Sequence, residues 1–186
     1  MAEQRGPRAR ATILKAALEL CEERGYGAVT MEAIAAAAHV GKPTLYRWWP
    51  SKAALILDAA LEAAGEVFVV PDTGDIRADL RTLVVRACAM LTDTRLRPVF
   101  AGVIGAAQSD PATAKALRQT HDALRVENQR RIAAAQRAGQ LPSMDPELLE
   151  DLLVAPMWYR TLITGAPVDG DFADTVVAAV IGRAAM

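Results

Sequence analysis

The chain has 186 residues, of which 52% are hydrophobic and 5% aromatic, and its formal net charge is −1. This length can bury a proper core and allows one domain or two small ones. No apolar run approaches the roughly 18 residues of a membrane span, and the basic N-terminus leads into an amphipathic segment rather than a signal-peptide core. We therefore expect a cytoplasmic protein. Abundant Ala and Leu, with few alternating strand formers, favour an all-α fold.

Charge is distributed unevenly along the chain. Residues 1–52 carry 8 Lys and Arg against 5 Asp and Glu, a net +3, whereas residues 53–186 carry 13 against 17, a net −4. A modestly basic N-terminal segment followed by an acidic remainder is typical of a DNA-binding domain attached to a domain that does not contact DNA. Arg8 and Arg10 could reach a DNA groove as a flexible arm or belong to a solvated tail.

The first predicted helix runs from about Ala9 to Arg24, and Gly25 is placed to end it at the C′ position. Thr30 then stands where an N-cap belongs, before a second helix. One face of that second helix is apolar at the spacing i, i+3, i+4, i+7, through Met31, Ile34, Ala35 and Ala38.

A short third helix is expected from Pro43, whose fixed φ and missing N–H suit a first helical position. Leu45 and Trp49, at i and i+4, give this helix one apolar face, so we expect Trp49 in the core. Two short helices joined by a tight turn, the second with donors facing outward, describe a helix-turn-helix. Ser51 then caps a fourth helix, with Lys52 in its first turn.

The segment VGKPTLYRWWPSKAAL, residues 40–55, resembles the recognition helix and following helix of the TetR/AcrR family of one-component transcriptional repressors. The resemblance covers roughly residues 9–64. His39 occupies the turn position where the family usually has Gly, and His tolerates a left-handed conformation better than most residues. Gly41 stands where Ser commonly caps the recognition helix, so we expect a weaker cap.

The resemblance implies about nine helices in two domains. It places a helix-turn-helix DNA-binding domain at residues 1–66, including the linking fourth helix, and an effector-binding and dimerisation domain at 72–186. The sequence PDTGD at 71–75 separates the two. Helix start and stop signals, namely capping residues, Gly and Pro, predict the same number of helices. The later ones are expected at about 52–67, 75–92, 96–107, 111–138, 146–164 and from 171 towards the C-terminus.

The candidate DNA contacts lie in and beside the helix-turn-helix and are Thr30, Lys42, Pro43, Thr44, Tyr46, Arg47, Trp48 and Lys52. In the resembled family, the residues matching Tyr46 and Lys52 grip the DNA backbone, a type of contact that positions the protein. Lys42, Thr44 and Arg47 are the candidates for base edges, since Arg can make a bidentate contact to guanine. The alternative for the exposed aromatic residues is ordinary surface or core.

The last two helices are rich in apolar residues beyond what one packed face needs. The resemblance favours a homodimer in which both helices form a four-helix bundle with the partner, and the alternative is two buried core helices. The interface candidates are Leu149, Leu152, Leu153, Phe172, Val176, Val177 and Val180.

The fifth to eighth helices are predicted to enclose a pocket for a small, apolar or aromatic effector, with ordinary core packing as the alternative. Trp158 and Tyr159 are adjacent and project about 100° apart, so they cannot both fill one core layer. Gly102 and Gly105 could leave room for a ligand. The pocket candidates are Met90, Phe100, Val103, Ile104, Trp158 and Tyr159.

Catalysis finds little support in the sequence. His39 and His121 are the only histidines, and Cys21 and Cys88 lie far apart without a CxxC motif, so we expect no cofactor, disulfide framework or zinc site. A carrier or antirepressor-like module that binds a protein or small molecule without an operator is the alternative function. Donors on the predicted recognition helix favour a sequence-specific transcriptional regulator, a repressor that a small-molecule effector releases from a palindromic operator.

Overall fold

We describe the protein from a computed structural model, which covers residues 5–182 and the side chains of residues 8–182. The outer limits of the two predicted domains, residues 1 and 186, lie outside this range. Residues 5–182 form nine α-helices and no strand, which confirms the all-α prediction. The helices are α1 (Arg5–Ala28), α2 (Met31–Ala37), α3 (Lys42–Trp48), α4 (Lys52–Ala64), α5 (Ile76–Thr92), α6 (Leu96–Ala107), α7 (Pro111–Arg137), α8 (Pro146–Tyr159) and α9 (Gly170–Ile181).

Side-chain caps begin several of these helices. The hydroxyls of Thr30 and Ser51 each accept a hydrogen bond from the N–H three residues further on, at 3.1 and 3.2 Å, as predicted. The last helix begins one residue before its predicted start at Asp171. Asp169, rather than Asp171, accepts from the N–H of Phe172 at 2.9 Å, so α9 begins at Gly170. Asp171 lies in the first turn, where the helix dipole stabilises a negative charge.

Two helices end differently from their predicted limits. Gly25 has φ 73° and ψ 155°, so the regular part of α1 ends there as predicted and one more turn carries the helix to Ala28. Helix α4 ends at Ala64 instead of about Val67, and a short 3₁₀ turn, Glu66–Phe68, follows it. A π turn, Arg160–Thr164, continues α8 to its predicted end.

The described chain forms two compact units. The first unit contains the residues up to Gly65 together with Thr94–His121, and so includes α1 to α4, α6 and the first part of α7. The second unit contains Glu66–Asp93 and the residues from Asp122 onward, and so includes α5, the rest of α7, α8 and α9. Helix α6 is therefore part of the same unit as the predicted helix-turn-helix.

Each unit has its own apolar core. In the first unit α1 packs against α4 and α6, and the fully buried side chains include Ile13, Ile34, Leu45, Leu55, Ile56 and Leu57. In the second unit α5 packs against α8 and α9, and the fully buried side chains include Leu80, Leu83, Leu91, Ile132, Leu149 and Leu153. In the second unit Leu80 and Leu83, and Leu149 and Leu153, recur at helical spacing, which is the periodicity by which the sequence located the helices.

Helix α7 also brings a row of polar side chains into the second unit. We call Arg125, Asn128 and Arg131 the α7 polar row. Arg131 Nη2 donates to Asp79 Oδ2 at 2.9 Å, and its Nε lies 3.0 Å from a carboxylate oxygen of Asp72. Asp79 is 1% exposed. A buried carboxylate needs such partners, because an unpaired charge in the core is strongly unfavourable.

The middle of the row holds the segment that leads into α5. Asn128 Oδ1 accepts from the N–H of Val70 at 2.9 Å, and its Nδ2 donates to the carbonyl of Phe68 at 2.8 Å and to Glu150 Oε1 at 2.9 Å. Arg125 Nε donates to the same Glu150 carboxylate at 3.0 Å. The row thus satisfies backbone groups that have no partner in a helix or sheet.

Candidate nucleic-acid interface

The helix-turn-helix is formed by α2, α3 and the turn between them. Met31, Ile34 and Ala35 are buried in α2, and Leu45 is fully buried in α3. His39 has φ 54° in the turn, so it adopts the left-handed conformation expected there. Burial of one side of each short helix leaves the opposite side of α3 free to face a ligand.

Helix α3 begins without a side-chain cap, in agreement with the weak cap predicted at Gly41. Gly41 makes no side-chain hydrogen bond to the helix, since it has no side chain to do so. The helix begins at Lys42, which puts Pro43 at the second helical position rather than the first. Proline tolerates either position, because the N–H groups of the first turn have no partner within the helix.

The end of α3 is tied to α4 and α1 by hydrogen bonds. Trp49 is 4% exposed, as predicted, and its indole N–H donates to Asp58 Oδ2 at 2.8 Å. The same carboxylate accepts from Arg10 Nη2 at 2.7 and 2.8 Å, and Arg10 also pairs with Glu62. The expectation of a flexible arm or solvated tail was therefore wrong for Arg10, whereas Arg8 is exposed.

The outward side of α3 carries the predicted contact residues. Tyr46 and Trp48 remain 52% and 42% exposed, an unusual degree for large aromatic side chains. Of the other candidates, Thr44 and Lys52 are half-buried, and the exposed ones are Thr30, Lys42, Pro43 and Arg47. The structure thus brings hydrogen-bond donors and aromatic faces together on one exposed surface.

An acidic residue that the sequence did not single out also lies at this surface. Lys42 Nζ lies 2.6 Å from Glu32 Oε1, and both side chains are more than half exposed. The hydrogen bond from Lys42 holds the pKa of Glu32 below its ordinary value. The two residues are on different helices, so only the fold brings them together.

Lys52 makes a second contact that the sequence did not predict. Its ammonium donates to the backbone carbonyl of Tyr26 at 3.0 Å and lies 4.3 Å from the centroid of the Tyr26 ring. Tyr26 is buried at the end of α1, and burial raises the pKa of its hydroxyl. The predicted phosphate-contacting lysine therefore already has a partner within its own unit.

The predicted effector residues are divided between the units. Phe100, Val103 and Ile104 belong to the first unit, and Met90, Trp158 and Tyr159 to the second. Met90, Phe100 and Val103 are buried, Ile104 and Trp158 are half-buried, and Tyr159 is exposed. Within each unit their burial favours core packing for the first three, and the effector pocket remains a prediction.

The cavities within the units are lined by other residues. One of about 410 Å³ in the first unit is lined by residues including Tyr26, Lys52 and Asp110, and one of about 500 Å³ in the second lies along α7 and the start of α8. Gly102 also lines the first cavity, and Gly105 has open space where a Cβ would be, so the expectation that these glycines leave room for a ligand stays a prediction. A Cβ atom at Gly102 would lie 2.7 Å from Tyr26 Cβ, so this glycine permits close packing of α6 on Tyr26.

The predicted dimer residues are almost all in the core of the second unit. Leu149, Leu153, Phe172, Val176, Val177 and Val180 are buried, and Leu152 is the exposed member of the set. The exposed apolar residues of α8 and its π turn are instead Leu148, Leu152, Tyr159 and Ile163, which we call the α8 stripe. The three stripe residues within α8 fall within about 40° of one another around the helix.

Other chemistry is scarce among residues 5–182. Cys21 and Cys88 are free and buried, and burial raises the pKa of each thiol to about 11. Both are therefore protonated near neutral pH and are poor nucleophiles. In this part of the chain, no group of three or more His, Cys, Asp and Glu side chains could hold a metal ion, and no helix has the length and apolarity to cross a membrane.

Comparison with known proteins identifies the family. The model for "Bacterial regulatory proteins, tetR family" matches residues 13–59, and that for "Tetracyclin repressor-like, C-terminal domain" matches residues 70–180. The HTH-type transcriptional regulator YdeS of Bacillus subtilis is 36% identical over 167 residues, which cover 89% of this chain and 84% of YdeS. The DNA-binding transcriptional repressor TetR of Mycobacteroides abscessus is 32% identical over 179 residues, which cover 93% and 92% of the two chains.

A solved structure agrees with this assignment. The crystal structure of the TetR family transcription regulator SCO0332 superposes with a TM-score of 0.79 at 37% identity, and the match covers 93% of this chain and 96% of that one. The helix-turn-helix with its outward contact residues lies within the part matched to the family's N-terminal model. The chain therefore belongs to the TetR family of bacterial transcriptional regulators.

Proposed function

We propose that the protein is a homodimeric repressor that reads a palindromic operator and is released from it by a small-molecule effector. The observation that carries the DNA-reading part is the outward surface of α3. Tyr46, Arg47 and Trp48 are exposed there, while Leu45 and Trp49 anchor the helix from behind. Proteins with a helix-turn-helix insert such a second helix into the major groove.

The exposed residues fall into two roles under this proposal. Lys42, Thr44 and Arg47 read base edges, since they carry donors at the start and middle of the helix that enters the groove. Tyr46, Lys52 and Thr30 bind phosphates and position the protein, whereas Pro43, which has no N–H donor, and Trp48 make further contacts at the edges of the surface. The net charge of +3 on residues 1–52 supports this assignment.

Selection of bound sequences from a random duplex library with purified protein tests the proposal. We expect a pseudo-palindrome whose half-site centres lie about one helical turn apart, roughly 34–36 Å. Arg47→Ala should relax the preference at one base position at a cost of about 1–3 kcal/mol. Lys52→Ala should weaken all sequences alike and reduce the salt slope by about one.

Arg86→Ala is the control for these variants, because this exposed arginine lies on α5 outside the helix-turn-helix. It should bind like the wild type. If the Tyr46→Ala/Lys52→Ala double variant binds as well as the wild type, the contact assignment is wrong. If the wild type enriches no sequence at all, the carrier or antirepressor-like alternative gains support.

Glu32→Gln should strengthen DNA binding. The change removes a negative charge from the proposed DNA surface and frees Lys42 from its ion pair. We expect several-fold tighter binding at low salt, on the order of 1 kcal/mol, and a smaller gain at high salt. Glu19→Gln is a matched control, because Glu19 is an exposed carboxylate paired with Lys15 on α1. Equal affinities for wild type and Glu32→Gln would remove Lys42 from the contact set.

The effector part of the proposal concerns the domain at residues 72–186, which includes α6. Its concentration of Met, Phe and Trp side chains suits an apolar or aromatic, mostly uncharged ligand. Such a ligand can release DNA only if it binds better to the conformation that does not fit the operator. Titration with lipophilic compounds, with operator release and tryptophan fluorescence followed together, tests this. If none displaces DNA, the protein is a repressor without an inducer.

A further inference from the structure

Tyr26 contacts Lys52 through two different groups. Its backbone carbonyl accepts a hydrogen bond from the ammonium at 3.0 Å, and its ring centroid lies 4.3 Å from the same nitrogen. The two residues come from the end of α1 and the start of α4, and 26 positions separate them. A lysine side chain is flexible and retains this geometry only where its surroundings favour it.

Tyr26 is itself held on two further sides. Its hydroxyl lies 3.3 Å from Thr113 Oγ1, at the start of α7, and Asp110 accepts a hydrogen bond from the N–H of Thr113 at 3.0 Å. On the α6 side, Gly102 packs so closely that an added Cβ would lie 2.7 Å from Tyr26 Cβ. The close packing of Gly102 against Tyr26 Cβ leaves the ring little freedom to move even without the hydroxyl contact, so the ring is a fixed support for the ammonium.

The contact leaves Lys52 able to bind a further anion. An ammonium has three N–H donors, and the carbonyl of Tyr26 accepts one of them. The ring face attracts the cation electrostatically, through the ring quadrupole, and is not a conventional hydrogen-bond acceptor. Lys52 remains half-buried rather than enclosed, so at least one N–H can reach a phosphate from the solvent side.

We propose that Tyr26 is a positioning residue for DNA binding, which holds the Lys52 ammonium in place beside the recognition helix before DNA arrives. This inference rests on the proposed DNA contact of Lys52. Preorganisation reduces the loss of side-chain freedom when the phosphate binds, so the gain appears as affinity for every DNA sequence.

A double-mutant cycle on the full-length protein tests the proposal. Tyr26→Leu, Lys52→Ala and the double variant are compared with the wild type on the selected operator and on a random duplex, over a series of salt concentrations. We expect Tyr26→Leu to weaken binding to both duplexes about 3- to 10-fold, with the salt slope unchanged, because the charge is still present. In the Lys52→Ala background, Tyr26→Leu should cause no further loss.

Two further variants separate positioning from packing. Tyr26→Phe keeps the ring and the carbonyl and should bind DNA within about twofold of the wild type. Thr113→Val removes the partner of the hydroxyl and should likewise leave DNA affinity unchanged. If Tyr26→Leu weakens binding equally with and without Lys52, its role is packing of the first unit, and the proposal is overturned. Tighter binding by Tyr26→Leu would also overturn it, because the contact would then hold the lysine away from DNA.

NMR provides a test in which the reported signal belongs to the wild type. The Tyr26 ring should shift the ε-methylene protons of Lys52 upfield, and Lys52→Ala identifies that signal by its absence. We expect the shift to persist in the complex with operator DNA, and its loss on DNA binding would overturn the proposal. If the wild type selects no duplex, the proposed function itself is wrong. If the wild type binds DNA but the losses of affinity from Tyr26→Leu and Lys52→Ala are additive, only the role proposed for Tyr26 is wrong.

Discussion

Asp79→Ala is expected to destabilise the second unit by about 3–5 kcal/mol, which is the usual effect of removing one partner from a buried ion pair. Asp79 is 1% exposed and accepts hydrogen bonds from Arg131 at 2.9 Å and from the Thr73 hydroxyl at 2.6 Å. Among residues 8–182, its removal leaves the guanidinium paired with the exposed Asp72 alone and takes away the acceptor of the Thr73 donors. Chemical denaturation followed by circular dichroism measures the change.

Asp72→Ala is the matched control, because Asp72 pairs with the same arginine but its side chain is 76% exposed. We expect it to change the unfolding free energy by no more than about 1 kcal/mol, as for other surface ion pairs. If the two variants are equally stable, the buried position of Asp79 has no special role and the pairing in the core has been misjudged.

The same carboxylate should make stability depend on pH. Burial alone would raise the pKa of Asp79, but hydrogen bonds from Thr73 and Arg131 lower it below its ordinary value of 3.8. Because the unfolded chain keeps the ordinary value, this contribution to stability is complete above about pH 4 and is lost as the pH falls through the folded-state pKa. Below pH 4, Asp79→Ala should therefore lose less unfolding free energy per pH unit than Asp72→Ala.

The double variant Leu152→Glu/Ile163→Glu is expected to form folded monomers that no longer bind the operator. Both side chains belong to the exposed α8 stripe, at 43% and 71% exposure, so the charges cost little in an isolated subunit. We propose that the α8 stripe is the interface of the proposed homodimer, and there the charges would be buried against the partner's copies without a counter-charge. Loss of the second recognition helix should weaken operator binding by at least about 100-fold. Sedimentation equilibrium and electrophoretic shift measure the two effects.

Val177→Glu distinguishes the α8 stripe from the interface first expected from the sequence. Val177 is 2% exposed within its own subunit, so a charge there should unfold the second unit rather than give a folded monomer. If Val177→Glu is folded and monomeric while the stripe variant stays dimeric, the interface lies on the opposite side of these helices. A wild type that is monomeric at micromolar concentration contradicts any such interface.

The helices were predictable because their signals are local. The caps at Thr30 and Ser51 act on N–H groups three residues away, so the sequence alone contains both partners. The start of α9 was misplaced because Asp169 and Asp171 are equally good caps on local grounds. The end of α4 was misplaced because Val67 continues its apolar pattern, although the chain turns at Gly65.

The candidate site was predictable in residue type but not in side-chain partners. Exposed positions on α3 follow from helical periodicity once Leu45 is taken as buried. The partners of Arg10, Lys42 and Lys52 lie on other helices, so no local pattern indicates them. The same limit applies to α8, where Leu148 and Leu149 are equally apolar and only the fold decides which one faces the core.

The α7 polar row also constrains how this protein can change over evolutionary time. Losing either Asp79 or Arg131 alone leaves a buried charge without its partner, whereas exchanging both for apolar residues of similar volume is often neutral or stabilising. Replacing the two residues one at a time therefore passes through a variant of low stability. Relatives that lack an acid at the position of Asp79 should also lack the base at the position of Arg131, so the two positions should covary.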